Sequence, residues 1–239
     1  MTKRVFAASV AMMSSQAGHF VVAIDGPAGA GKSTVARALA TRLGYTFLDT
    51  GALYRSVALV AQDNRIPWDD GARLGTLAKT LEIVFVRDAE RTRVMADARD
   101  VTDAIRRTEI SEGASRVSAL PEVRDGLLDM QRRVATRSNV VAEGRDIGTV
   151  VFPSAQAKFF LIASLETRAQ RRTLELQAAG RPAVLAEVLA EMRVRDARDS
   201  GRAVAPLRRA DDAVEVDSSL ATPEEVIERM LAIVRARGG

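Results

Sequence analysis

Two hydrophobic rhythms alternate along the chain. Short, nearly continuous apolar runs occur at Phe20–Asp25, Tyr45–Asp49, Asn139–Glu143, Lys158–Ala163 and Ala213–Asp217. Their length and composition suit strands buried on both faces. Between them lie stretches whose apolar residues recur three and four positions apart: Lys32–Leu43, Gly51–Asp63, Arg106–Val117, Glu122–Thr136, Leu165–Ala178, Ala183–Asp199 and Pro223–Arg235. That spacing predicts helices, each with one apolar stripe. The last begins with Thr222 as an N-cap and Pro223 at the first helical position, where a missing N–H leaves no bond unmade. Strands alternating with helices predict an α/β fold, a five-stranded parallel sheet flanked by helices on both faces.

Two segments depart from the rhythm. Leu81–Val86 and Thr92–Ala98 flank the polar stretch Arg87–Arg91, the pattern of a β-hairpin. An antiparallel piece has no place in a parallel sheet, so residues 77–103 read as a small β-rich insertion. The Gly180-Arg181-Pro182 break joins two helices into a hairpin and makes residues 168–202 a candidate helical lid. Residues 19–239 otherwise read as one domain. Residues 1–18 place Lys3 and Arg4 before a short alanine-rich apolar stretch without a clear cleavage site, and read as a disordered extension.

Composition narrows the chemistry. With 47% hydrophobic and 28% charged residues, the 239-residue chain is of ordinary globular type. The absence of cysteine excludes disulfides, thiol nucleophiles and cysteine zinc sites, and His19 alone cannot build a histidine metal site. No run of 18 apolar residues occurs, so no membrane span is expected and the cytoplasm is the default location. Net charge is +4 with scattered basic residues, and aromatics make up only 4%, too few for a base-stacking platform. The arginine excess therefore suits a cleft for small phosphorylated ligands, with no nucleic-acid partner. A monomer is the default.

The chemistry itself opens just after the first predicted strand. Gly26-Pro27-Ala28-Gly29-Ala30-Gly31-Lys32-Ser33-Thr34 fits G-x-x-x-x-G-K-[ST]. Backbone without Cβ turns sharply and aims successive N–H groups at one anion. Lys32 then reaches the β- and γ-phosphates of a nucleoside triphosphate, and the Ser33 hydroxyl ligates Mg²⁺. Strand, loop and helix follow in the order this motif requires.

Other residues decide which phosphate-binding-loop protein this is. No Asn-Lys-x-Asp guanine motif occurs, and no strand ends in Asp-Glu. Instead the chain carries Asp49-Thr50-Gly51-Ala52-Leu53-Tyr54-Arg55, then Glu143-Gly144-Arg145-Asp146-Ile147-Gly148-Thr149-Val150-Val151-Phe152-Pro153. Near the end stands Arg193-Val194-Arg195-Asp196-Ala197-Arg198-Asp199-Ser200-Gly201-Arg202-Ala203-Val204-Ala205-Pro206-Leu207. In these collinear blocks, from about Phe20 to the last helix, the chain resembles the bacterial cytidylate kinases, P-loop nucleoside monophosphate kinases whose small three-stranded insertion in the monophosphate-binding domain matches the hairpin region, so residues 77–103 are expected to form a monophosphate-binding insertion.

The resemblance implies ATP as phosphoryl donor with Mg²⁺, and CMP or dCMP as acceptor. It implies that Arg55 and Arg145 grip the acceptor phosphate, with Thr50 beside them, and that Ser115, Arg124 and Asp146 contact the cytosine. The chemistry agrees: a carboxylate facing the N4 amino group and an arginine facing N3 and O2 complement cytosine, whereas uracil reverses the pattern. Asp199 and Arg202 fall near ribose and phosphate, and Arg195 and Arg198 act with Lys32 on the transferring group. Asp25 and Glu143, at strand ends, are candidates for contacts to Mg²⁺-bound water; Glu143 stands where many relatives carry Asp. Simpler readings remain at this point: solvated arginines on a helix face, an Arg145–Asp146 ion pair, Ser115 as a small packing residue, and Trp68 packing on the insertion. Alternative functions are a kinase of another monophosphate or small acceptor, and a P-loop nucleotide-binding regulator.

Overall fold

The computed structural model describes residues 18–87 and 92–239. All but the last residue of the expected N-terminal extension, and the tip of the predicted hairpin, lie outside the described residues. The strands are β1 (Val21–Asp25), β2 (Thr46–Asp49), β3 (Ile83–Arg87), β4 (Thr92–Ala96), β5 (Arg99–Asp100), β6 (Val140–Gly144), β7 (Ala157–Ile162) and β8 (Val214–Asp217). The helices are α1 (Lys32–Leu43), α2 (Thr50–Asp63), α3 (Gly71–Thr80), α4 (Thr108–Val117), α5 (Pro121–Val134), α6 (Leu165–Ala178), α7 (Leu185–Gly201) and α8 (Pro223–Ala236).

Five strands form the expected parallel sheet in the order β2-β6-β1-β7-β8. All five residues of β1 are buried, and the pleat sends them alternately to two cores. Val22 and Ile24 meet Leu39 of α1 and Met230 of α8, whereas Val21 and Ala23 meet Leu48, Ile147 and Phe152. Because β6 and β7 flank β1 on opposite sides, the chain reverses its winding at β1, and the crevice at the carboxyl ends opens there. In register, Glu143 pairs with Ile24 and with Asp49, which gathers acidic strand ends at that crevice.

The predicted hairpin is present as a separate antiparallel sheet in the order β3-β4-β5. Asp97 and Ala98 link β4 to β5 with φ of 46° and 63°, the left-handed pair that a tight hairpin turn demands. Ile83 and Val94 of this sheet, with Val101 just beyond it, share one apolar cluster with Leu53 and Val57 of α2 and Ile110 of α4. The helix α3 has no counterpart among the sequence expectations. Asp70 caps it by accepting from the Arg73 amide, and Gly75 permits close approach to α5, since a Cβ there would lie 2.6 Å from the Glu122 Cβ. Residues Ile147–Val151 form a short π-helical turn directly after β6.

Candidate active site

The phosphate loop is shaped by contacts that only glycine permits. Gly26 follows β1 with φ of 149°, and a Cβ there would sit 2.0 Å from the Leu161 carbonyl oxygen. Gly31 caps α1 in the left-handed region at φ 88° and supplies no side-chain cap, which leaves the first amides of α1 for an anion. Lys32 is buried, and its Nζ donates to the Pro27 carbonyl at 2.7 Å. Burial, and then the nearby Arg145, push its ammonium down to about 7. Burial, and then Asp49, push the Glu143 carboxyl up, while Lys32 and the Ser33 hydroxyl pull against them. Asp25 accepts from the amides of Ile147 and Gly148, both at 2.8 Å, so its carboxylate anchors the π-helical turn.

A cleft of about 1500 Å³ runs from this loop across the carboxyl ends of β2 and β6 to α4, α5 and α7. Ala28–Thr34, Thr50, Arg55, Ser115, Arg124, Glu143, Arg145, Asp146, Arg195, Arg198, Asp199 and Arg202 all line it. Of the sequence-derived site residues, only Asp25, Gly26 and Pro27 do not. None of the described residues between 77 and 103 lines the cleft either. The described strands of the insertion pack on α2 and α4, through Ile83 and Val94.

Away from the phosphate loop, the cleft is lined by a set of tertiary pairs. Asp49 caps α2 through the Ala52 amide with one oxygen, at 2.9 Å, and holds Arg55 Nη2 at 2.9 Å with the other. Thr50 Oγ1 donates to the Glu143 carbonyl at 2.7 Å, tying α2 to β6. Arg124 is buried, donates to the Ser118 carbonyl at 3.1 Å and forms an ion pair with Asp146. Its guanidinium also lies 5.6 Å from the centre of the Tyr54 ring. Arg145 pairs with Asp199 at 2.8 Å rather than with its neighbour Asp146. Ser115 Oγ lies 3.4 Å from Asp199 Oδ1, so this serine faces the cleft as well as packing within α4. Burial alone would raise the Asp199 carboxyl, but Arg145, Arg195 and Arg202 hold it below its ordinary range.

Several cleft groups are buried without a hydrogen-bond partner: Nε of Arg55, Nε of Arg195, Nη2 of Arg202 and Oε1 of Glu143. Unmade bonds at buried donors are expensive, so three arginines aimed into one cleft call for an anionic ligand. Burial and then Arg145 lower the Arg195 guanidinium to about 10, a measure of how strongly these cations crowd each other. Arg198 reaches Glu112 of α4 at 2.9 Å, closing α7 over the cleft.

Sequence reasoning did not single out Arg168, Arg171, Glu112 or Ser218. Arg171 Nη2 donates to the Ser218 carbonyl at 2.5 Å, and Ser218 Oγ lies 3.0 Å from the Ala30 carbonyl of the phosphate loop. These partners come from different elements, so no spacing along the chain announces them. Trp68 is structural, as expected, but its indole packs on Gly113 of α4 and donates to the Ala58 carbonyl of α2 at 3.0 Å.

Comparison with known proteins follows the same lines. Residues 22–236 match the family profile of cytidylate kinase. A cytidylate kinase of Geobacter sulfurreducens is 55% identical over 217 residues, covering 91% of this chain and 93% of that protein. One from Carboxydothermus hydrogenoformans is 46% identical over 213 residues, covering 89% and 96%. Among solved structures, an uncharacterized protein from Eubacterium ventriosum covers 91% of this chain and 99% of its own at TM-score 0.51 and 11% identity, a likeness of fold alone. The phosphate loop, the matched blocks and relatives of this similarity over nearly the whole described chain lead to one assignment: the chain belongs to the cytidylate kinase family.

Proposed function

We propose that the protein transfers the γ-phosphate of ATP to CMP or dCMP, giving ADP and the pyrimidine diphosphate. The observation that carries this reading is the buried Arg124–Asp146 pair in the same cleft as the phosphate loop and its unpartnered arginines. A carboxylate and a guanidinium side by side match the amino donor and the N3/O2 acceptors of cytosine. Uracil would set an acceptor against Asp146, an unpaired buried charge that such a site rejects.

In this reading the loop amides and Lys32 hold the β- and γ-phosphates, while Arg55 and Arg145 orient the dianionic acceptor in line. Arg195, Arg198 and Arg202 approach the charge that develops on the equatorial oxygens, so positioning and positive charge supply the catalysis and no general base is invoked. The α6–α7 hairpin is the lid, and its closure excludes water that would otherwise hydrolyse ATP. Mg²⁺ fits the donor set: an exposed Ser33 hydroxyl stands beside Glu143, whose buried Oε1 lacks a partner. The ion would supply charge neutralisation between the β- and γ-phosphates. Among the described residues no cluster of three acidic or histidine ligands exists, which suits an ion completed by phosphate and water. Asp25, with both oxygens on backbone amides, is the less favoured of the two acidic contacts. The cleft is complete within one chain, which supports action as a monomer, and no described helix is long and apolar enough to cross a membrane. Free nucleotides as substrates support a cytoplasmic location.

The test is ADP release with Mg·ATP against CMP, dCMP, UMP, AMP and GMP at equal concentration. Fast turnover confined to CMP and dCMP supports the reading. Equal turnover with another monophosphate would discard the base site, and ATP hydrolysis indifferent to every acceptor would favour a regulatory nucleotide-binding protein.

A further inference from the structure

Arg168 and Asp196 stand beside the catalytic machinery, yet neither lines the cleft. Arg168, in the first turn of α6, is only 5% exposed and spreads its guanidinium over three acceptors. Its Nε donates to the Ala163 carbonyl at 3.0 Å and its Nη1 to the Ala28 carbonyl of the phosphate loop at 3.1 Å. Its Nη2 meets Asp196 Oδ2 of α7 at 2.7 Å. The Arg168 stem also underlies the loop: a Cβ on Gly29 would touch Arg168 Cβ at 3.2 Å and Met192 Cε of α7 at 2.9 Å. Phosphate loop, α6 and α7 therefore converge on one planar group.

Asp196 follows Arg195 directly and precedes Arg198 by two residues, so fixing it fixes the helical turn that carries both arginines. Its other oxygen, Oδ1, is buried without a partner, so its side chain is held by the bond to Arg168. A buried ion pair is poor value as mere stabilisation, because an apolar pair of similar volume holds two helices as firmly. What an apolar pair lacks is direction. A guanidinium that bonds a loop carbonyl and a lid carboxylate at once sets their relative position, and a lysine ammonium at that site has no rigid fork to do so.

We propose that Arg168 is a positioning residue that ties the lid helix α7 to the phosphate loop through Asp196, and so sets where Arg195 and Arg198 stand over the transferring phosphate. This rests on reading those two arginines as lid groups that act on that phosphate. A displacement of about 1 Å at such groups lowers a rate by up to about 100-fold without weakening ground-state binding. The signature of lost positioning is thus a fall in kcat at constant KM, with more ATP lost to water as the lid seats less well.

The experiment compares Asp196→Asn, Arg168→Lys and the double variant in the full chain. The readouts are kcat, KM for ATP and CMP, melting temperature, and the ratio of ADP released to CDP formed. Asp196→Asn keeps size at a half-buried position and guards against loss of folding in the Arg168 variant. Expected are kcat about tenfold lower in each single variant, KM values within about twofold, an ADP:CDP ratio above one, and a double variant no worse than Arg168→Lys. A lowered melting temperature with kcat and the ratio unchanged would make the pair a simple helix staple and overturn the proposal, as would losses that multiply in the double variant. Arg195→Ala is run alongside: normal turnover in that variant would remove the lid reading itself, and the two failures are then told apart.

Discussion

Arg145 Nε donates to Asp199 Oδ2 at 2.8 Å, joining the loop after β6 to the last turns of α7 across the cleft. Ser115 Oγ lies 3.4 Å from the other carboxylate oxygen, so Asp199 gathers α4, α7 and the β6 loop at one point. If Arg145 grips the acceptor phosphate, as proposed, that phosphate shares Arg145 with this carboxylate, which makes Asp199 a competitor as well as an organiser.

Replacing Asp199 by Asn removes the charge and keeps the shape. The organising role is expected to dominate, because Arg145, Arg195 and Arg202 together favour the carboxylate despite its burial. Charged hydrogen bonds contribute about 1.5–3 kcal/mol, so KM for CMP should rise about tenfold or more while KM for ATP stays within about twofold. Initial rates over a grid of both substrates decide it. A lower KM for CMP would show that competition, not organisation, is the larger effect.

Asp146 should control which base is accepted. Its ion pair with Arg124 is fully buried, and Arg124 is held from behind by the Ser118 carbonyl. In Asp146→Asn an amide can rotate to present either a donor or an acceptor, so the penalty against uracil disappears together with the charge complement to cytosine. The expected result is a fall of about 100-fold in kcat/KM for CMP with little change for UMP. A CMP:UMP preference equal to that of the parent enzyme would remove Asp146 from base recognition.

Much of this architecture was legible because the main chain obeys local rules. Residues 21–24 are apolar throughout since both faces of β1 are covered, and Thr222 with Glu225 forms the reciprocal cap that starts α8. The helix α3 escaped because Gly71 and Gly75 dilute its apolar pattern, and its packing on Glu122 is visible only in three dimensions. The same holds within the cleft. Glycine spacing announces an anion-binding loop, whereas the partners of charged side chains lie 54 residues apart in Arg145–Asp199 and 140 apart in Arg168 and Ala28. An Arg145–Asp146 pair was the natural local guess. The φ of −145° at Asp146 begins the π-helical turn, and the two side chains bond to different helices.

Lys32 should take up a proton when ATP binds. Burial and the nearby Arg145 lower its ammonium to about 7, so near neutrality a large share of the side chain is uncharged. Triphosphate oxygens brought within bonding reach favour the charged form and lift that value again. Calorimetric titration of Mg·ATP at pH 7.5, in buffers of different ionisation enthalpy, should therefore report net uptake approaching one proton. The uptake should vanish in Lys32→Met. Zero uptake in the parent protein would mean that the ammonium is already charged before ATP binds, held so by Glu143.

Asp25 gives the stability of the protein a distinctive pH dependence. Burial raises its carboxyl from 3.8 to about 6, and the amide bonds from Gly148 and Ile147 offset only part of that. Between those two values the folded state binds more protons than the unfolded state, so stability falls as pH rises through the window. The charged carboxylate at neutral pH is thus held at a cost of about 3 kcal/mol relative to its protonated form. Asn at position 25 keeps one acceptor oxygen for the turn but does not titrate. The difference in unfolding free energy between the parent protein and Asp25→Asn, read from urea transitions at pH 4, 5, 6 and 7, should shift against the parent by up to that amount as pH rises from about 4 to about 6, then level off. A difference that moves the other way would show that the two amide bonds outweigh burial, with the carboxyl below its ordinary value in the folded protein.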